Sequence, residues 1–206
     1  MITPLYADDS VLVFDKPAGL LSVPGRLPEN KDSLALRVQA LWPDALIVHR
    51  LDMATSGLIL MARGAEPHRA LSIAFAERQV TKRYVAVVAG EVAAEQGEVD
   101  LPLICDWPNR PRQKVDHEVG KPSLTRYTVL AREAGRTRVA LEPVTGRSHQ
   151  LRVHMMALGH PILGDEFYAP DEVRALSPRL QLHAEYLAFP HPADGRRIEV
   201  AAAPAF

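Results

Sequence analysis

Cysteine is almost missing from this chain. Cys105 stands alone, which excludes an internal disulfide, a multi-cysteine metal centre and a CxxC redox pair. The scarcity suits a reducing compartment, so a cytoplasmic protein is expected, with Cys105 as a buried, inert thiol. No apolar run is long enough to span a bilayer, and no membrane partner is expected. The opening residues Met1-Ile2-Thr3-Pro4-Leu5 show no basic start followed by an apolar stretch, so no secretory signal is expected. The phosphate-cradling patterns GxxxxGK[ST] and GxGxxG are absent, which removes the usual scaffold for nucleotide-driven or nicotinamide chemistry. Repeats, low-complexity tracts and obvious linkers are also absent, and the 17 prolines are scattered; one domain is the simplest expectation.

A strong charge of either sign is missing too, since the formal net charge is −1. Taken alone this argues mildly against a nucleic-acid protein. The charges are uneven along the chain, however. From residue 107 to 152 ten basic residues (Arg110, Arg112, Lys114, Lys121, Arg126, Arg132, Arg136, Arg138, Arg147 and Arg152) stand against four acids. Acids such as Glu91, Glu95, Glu98 and Asp100 lie outside that stretch. This predicts a basic patch for phosphates; the plain alternative is an ordinary solvated surface.

The pattern of apolar residues predicts many strands and few helices. Residues 11–14, 45–48, 57–61 and 84–88 read as strands, the last too apolar to face water on either side. Residues 124–130 and 137–141 read as a pair across a polar turn at 133–136, and 182–189 and 197–201 as late strands. Asp32 or Ser33 caps a predicted helix ending near Leu41. Residues 66–79 form a predicted amphipathic helix with Leu71, Ala74, Phe75 and Arg78 on one face. A third helix is predicted over 148–158, capped by Ser148 and ended by Gly159. Short connections between strands favour an α/β protein of the α+β type, with a mixed, largely antiparallel sheet flanked by helices.

Two segments carry candidate chemistry. In His49-Arg50-Leu51-Asp52-Met53-Ala54-Thr55-Ser56-Gly57-Leu58, a polar loop between two strands holds a carboxylate on rigid supports. Thr55 and Ser56 are placed to bond loop backbone or Asp52, and the plain alternative is that Asp52 only satisfies turn amides. In Gly146-Arg147-Ser148-His149-Gln150-Leu151-Arg152-Val153-His154, a helix N-terminus and two arginines favour an anion. The plain alternative there is a basic surface helix that turns Leu151, Met155 and Leu158 inward. The two histidines are five apart with no Glu between them, so no metal site is expected.

These two segments, with Lys82-Arg83-Tyr84-Val85, resemble the three motifs of the RluA family of pseudouridine synthases, in the right order and spacing. Asp15-Lys16-Pro17-Ala18-Gly19-Leu20-Leu21-Ser22 and Gly159-His160-Pro161-Ile162-Leu163-Gly164-Asp165 also fit, and the resemblance covers nearly the whole chain. It implies one catalytic domain over residues 1–206 with a central RNA-binding cleft, no N-terminal S4 module, no cofactor and no metal. Ser22-Val23-Pro24-Gly25-Arg26-Leu27 and residues 101–111 match one branch of the family beyond its general motifs. That closer match implies two targets, a uridine in 23S ribosomal RNA and one in the tRNA anticodon stem-loop. A monomer is expected.

By the same resemblance Asp52 is the catalytic carboxylate, which either attacks covalently or removes a ribose proton. Arg152 would pair with it and hold it ionised. Tyr84 would stack on the target uracil, Arg50 would fill the space left by the flipped nucleotide, and Leu182 would form an apolar wall beneath the base. His49, Thr55, Arg147 and His149, in the same motifs, are expected to contact substrate. Two rival readings are a non-catalytic RNA-binding module and a hydrolase using Cys105 or an aspartate as nucleophile; no base partner for Cys105 is visible.

Overall fold

A computed structural model describes residues 2–206. Along the chain run β1 (Tyr6–Ala7), β2 (Val11–Lys16), α1 (Leu34–Gln39), β3 (Ala45–Ile47), β4 (Ser56–Arg63), α2 (Ala65–Ala76) and β5 (Thr81–Ala89). Then come β6 (Gln96–Asp100), β7 (Leu103–Cys105), β8 (Gln113–Val115), β9 (Leu124–Glu133), β10 (Arg136–Pro143), α3 (Gln150–Ala157), α4 (Asp171–Arg174), β11 (Leu182–Pro190) and β12 (Arg197–Ala201). The chain folds as two compact units, residues 1–82 with 183–205, and residues 83–182 with Phe206.

In the first unit β2 pairs antiparallel with β1 and β4, and β3 also pairs antiparallel with β4. β11 lies parallel to β4 and antiparallel to β12. The apolar alternation seen in the sequence is what buries this sheet. Val11 and Val13 of β2, Leu58 and Leu60 of β4, and Phe189 of β11 meet Leu71 and Ala74 of α2 in one core. At roughly 1.5–3 kcal/mol per buried large aliphatic or aromatic side chain, this cluster is a main source of the unit's stability. Ser33 caps α1, its Oγ accepting from Leu36 N. Helix α2 ends at Ala76, so Arg78 lies beyond it in a left-handed conformation (φ 60°) rather than on the predicted face.

In the second unit β10 pairs antiparallel with both β5 and β9, and β9 pairs antiparallel with β6. β7 and β8 form a separate two-stranded hairpin. Val85 to Val88 are all buried, as their composition requires. The prediction of a mixed, largely antiparallel sheet with few helices therefore holds: the first unit carries the parallel β4–β11 pairing among antiparallel ones, and the pairings described within the second are antiparallel. Strands β1, β6, β7 and β8 were not predicted; each is short, and β6, Gln96-Gly97-Glu98-Val99-Asp100, shows only one buried side chain. Cys105 is half-buried at the end of β7, not fully buried as expected. Among the described residues no helix is long and apolar enough to cross a membrane.

Candidate active site

In the first unit the chain leaves β3 at Ile47, makes a loop, and enters β4 at Ser56. Asp52 sits in this loop, half-buried, and the backbone around it is tied down from several directions. Ser22 Oγ donates to Leu51 O at 2.7 Å and accepts from Leu51 N at 3.0 Å. Thr55 N donates to Asp52 O at 3.1 Å, and Gly19 N donates to Met53 O at 2.8 Å. The residue before Asp52, Asp52's own carbonyl and the residue after it are thus all fixed. Carboxylates gain catalytic value from such fixing, because a misplacement of about 1 Å costs roughly 100-fold in rate.

Lys16 is the cation that the first unit sets near this carboxylate. Its side chain has no exposed surface, and Nζ donates to Pro17 O at 2.9 Å, Leu20 O at 2.7 Å and Met53 O at 3.2 Å. Burial pushes its ammonium down to about 8, against the pull of the Asp52 and Asp15 charges, which raise it. In the sequence Lys16 stands within the Asp15–Ser22 stretch of the family resemblance, with no role of its own assigned. The signal was there in the strand alternation, which puts Lys16 on the same face as Leu12 and Phe14.

His49 is held as a structural acceptor. Its Nε2 accepts from Leu60 N at 2.9 Å, so that nitrogen carries no proton, and its ring stacks on Phe75 at 4.9 Å. Burial pushes its pKa down to about 3, with the Lys82 charge lowering it further; His49 is neutral at physiological pH. Arg50 is exposed. Thr55 and Ser56 do not bond the Asp52 carboxylate through their hydroxyls, as one reading expected. Ser56 Oγ instead meets His183 Nδ1 at 2.9 Å, and His183 Nε2 donates to Ala202 O at 3.0 Å. Thr55 Oγ1 is buried without a hydrogen-bond partner among the described residues, while its backbone N–H serves Asp52.

In the second unit Tyr84 is half-buried on β5, paired in register with Leu141 of β10. Helix α3 does not begin as predicted. His149, in a left-handed conformation (φ 53°), stands at its start, and Ser148 is exposed and caps nothing. The Gln150 side chain organises this end: Oε1 accepts from Thr145 Oγ1 at 2.8 Å and Arg147 N at 3.0 Å. Its Nε2 donates to Leu124 O at 2.9 Å and Thr125 Oγ1 at 3.0 Å. Nor is α3 a basic surface helix. Gln150 to Met155 are all buried, whereas Leu158 is exposed.

Arg152 projects from α3 into a buried polar nest. Its Nε donates to Asp165 Oδ2 at 2.8 Å and its Nη2 to Asp165 Oδ1 at 2.6 Å. Phe167 and Tyr168 flank the guanidinium, with ring centroids 5.1 and 5.2 Å from Cζ. His149 Nδ1 lies 2.6 Å from Tyr168 Oη, and its ring stacks on Phe167 at 5.7 Å. Asp165, Phe167 and Tyr168 were missed as site residues; only Asp165 lay inside a quoted motif. Arg147 is exposed, its Nε reaching Pro122 O at 3.4 Å. Leu182 is buried at the start of β11.

The basic run is less basic in space than in sequence. Because β6 pairs with β9, Glu98 meets Arg126 at 2.7 Å and Glu95 meets Arg132 at 2.6 Å. Glu133 pairs with Arg136 and Asp116 with Lys114. Arg110 and Arg112 instead lie over the rings of Trp107 and Phe167, at 4.6 and 5.9 Å.

A loop carboxylate braced by Ser22, Gly19 and Thr55, with the buried Lys16 ammonium near it, is a fixed group fit for nucleophilic or acid–base work. Residues 10–157 match the family model described as RNA pseudouridylate synthase. The chain belongs to the RNA pseudouridylate synthase family. Over 192 residues it is 60% identical to the dual-specificity RNA pseudouridine synthase RluA of Escherichia coli K12, covering 93% of this chain and 88% of that protein. The protein of the same name from Pasteurella multocida is 56% identical over 203 residues, 98% of this chain and 93% of that one. Among solved structures, human RNA pseudouridylate synthase domain containing 1 superposes with a TM-score of 0.84 at 30% identity, over 100% of this chain and 84% of that one. As a pseudouridine synthase the chain isomerises uridine to pseudouridine in RNA: the N1–C1′ bond breaks, a C5–C1′ bond forms, and the C5 proton leaves.

Proposed function

We propose that this pseudouridine synthase acts with Asp52 as its indispensable group on two RNAs, a uridine of 23S ribosomal RNA and one of the tRNA anticodon stem-loop. The dual target rests on the relatives' shared description as dual-specificity enzymes and on the identity with them over most of the chain. The observation that carries the catalytic assignment is the bracing of Asp52 by Ser22, Gly19 and Thr55 beside the buried Lys16 charge. A carboxylate so held serves either as nucleophile at the sugar or base or as base for a ribose proton.

The other residues divide the remaining work. Tyr84 stacks on the target uracil, worth roughly 1–3 kcal/mol, which offsets part of the few kcal/mol needed to flip the base out. Arg50, exposed beside Asp52 in the chain, fills the space the nucleotide leaves. Arg152, its guanidinium aligned by Asp165, is the cation that keeps the catalytic carboxylate ionised and oriented, and Leu182 forms an apolar wall for the base. Arg147 and His149 contact substrate, whereas Thr55 and His49, first expected there too, hold the loop from within. Target choice comes from RNA shape, through a loop that can be splayed open. The reaction runs in the cytoplasm on a monomeric enzyme.

The test is tritium release from uridine labelled at C5, in a 23S ribosomal RNA fragment and in a tRNA anticodon stem-loop. Release from both supports dual targets; release from only one rejects them.

A further inference from the structure

Trp107 leaves 65% of its surface in solvent, although large apolar rings are normally buried or kept for an interface. It opens a short 3-10 turn, Trp107–Asn109, at the tip of the β7–β8 hairpin. The tip is rigid. Asp106 N donates to Arg112 O at 2.9 Å, Asn109 N to Asp106 O at 3.0 Å and Arg112 N to Asn109 O at 3.1 Å. The Arg110 guanidinium lies 4.6 Å over the Trp107 ring, a cation–π contact that fixes the ring without burying it.

The acids of the hairpin are turned to their own backbone and neighbours. Asp106 Oδ2 accepts from Asn109 Nδ2, and Asp116 Oδ1 accepts from Glu118 N and Val119 N while pairing with Lys114. Exposed Glu118 is the remaining carboxylate. Arg110 and Arg112 rest on aromatic rings instead of acids. Where β8 begins, directly beside the tip, Gln113 N donates to Tyr168 Oη at 2.8 Å. Tyr168 and Phe167 are the rings that flank Arg152, so the tip is mechanically joined to that nest.

We propose that this hairpin tip is a second RNA contact, at which an unpaired nucleobase stacks on Trp107 and the Arg110 and Arg112 guanidiniums meet flanking phosphates. The proposal rests on the RNA-modifying reading and deepens it: the enzyme grips a looped nucleotide apart from the one it isomerises. Stacking tolerates any base, guanidinium suits phosphate, and a rigid tip lowers the ordering cost of binding.

The test compares the full chain with its Trp107→Ala, Trp107→Phe and Arg110→Ala variants on an RNA stem-loop and on a continuous duplex of matching sequence. Trp107→Ala should weaken stem-loop affinity roughly 5- to 100-fold, leave duplex affinity unchanged and leave the melting temperature unchanged. Trp107→Phe should recover most of the loss. Arg110→Ala should reduce the salt dependence of binding by a slope of about one. Unchanged stem-loop affinity in Trp107→Ala, or an equal loss on duplex, overturns the contact and assigns the ring to another partner. The two readings fail separately. Wild-type tritium release with unaltered Trp107→Ala affinity rejects the tip alone. No release, with Trp107→Ala still weakened, rejects the isomerase reading and supports the tip.

Discussion

Arg152 and Asp165 form a two-pronged pair in which both side chains are almost wholly removed from water, at 2% and 1% exposed. Asp165 Oδ1 also accepts from Phe167 N at 2.9 Å and Tyr168 N at 3.2 Å. The same carboxylate therefore builds the turn that carries both flanking rings and aligns the guanidinium. Asp165→Asn keeps an acceptor for those amides but removes the buried negative charge from the fork with Arg152. It should lower the unfolding free energy in urea by about 3–5 kcal/mol. A loss under about 1 kcal/mol would mean that the fork contributes little.

Ser22 is the clamp that joins the first turn of the chain to the Asp52 loop, through both backbone groups of Leu51. Ser22→Ala leaves a buried N–H and C=O unsatisfied, at about 1–3 kcal/mol. The expected kinetic signature is a fall in kcat with RNA affinity retained, because the carboxylate loses position and not the binding surface. A variant that loses affinity but keeps kcat would place Ser22 in RNA binding instead.

Lys16 gives a pH dependence of definite sign. Its folded pKa, about 8, lies below the ordinary 10.5 because the ammonium is buried. Between those values the unfolded chain binds more protons than the folded one. The contribution of this group to unfolding free energy therefore rises as pH climbs from about 8 to 10.5, and the charged form costs stability below that window. The Lys16 side-chain carbon signals in an NMR titration should move with a midpoint near pH 8. A midpoint at or above 10 would contradict the burial argument.

Gly57 joins the active-site loop to β11. With φ at +115°, a Cβ there would lie 2.4 Å from both N and O of the Ala184 backbone, across the parallel β4–β11 pairing. Gly57→Ala should cost more than about 4 kcal/mol, the range reserved for severe core disruption. Gly135 is the control: its φ is +74° and nothing lies within 4 Å of its Cβ position. Gly135→Ala should cost only the left-handed strain of about 1–2 kcal/mol. Similar thermal shifts for the two would contradict the steric account.

Local features of the fold were legible because local chemistry made them. The buried strand at residues 84–88, the Ser33 cap and the hairpin around residues 133–136 follow from side-chain alternation, a capping hydroxyl and a polar turn. Features that depend on distant partners were not. Glu95 and Glu98 read as acids far from the basic run, yet β6 pairing with β9 sets them against Arg132 and Arg126. Ser148 looked like a helix cap, but Gln150 reaches Leu124 and Thr125 on a strand some 25 residues earlier and takes over that end. Asp52 was legible as a loop carboxylate, whereas its brace Ser22 stands 29 residues before the Leu51 that it holds. Lys16 was overlooked although strand alternation turns it inward.

An almost isosteric change removes the charge of the Asp52 carboxylate and little else. Asp52→Asn should release no tritium from C5-labelled uridine in a stem-loop RNA that the wild type converts, while binding that RNA with nearly unchanged affinity. Appreciable tritium release by the variant would contradict the account.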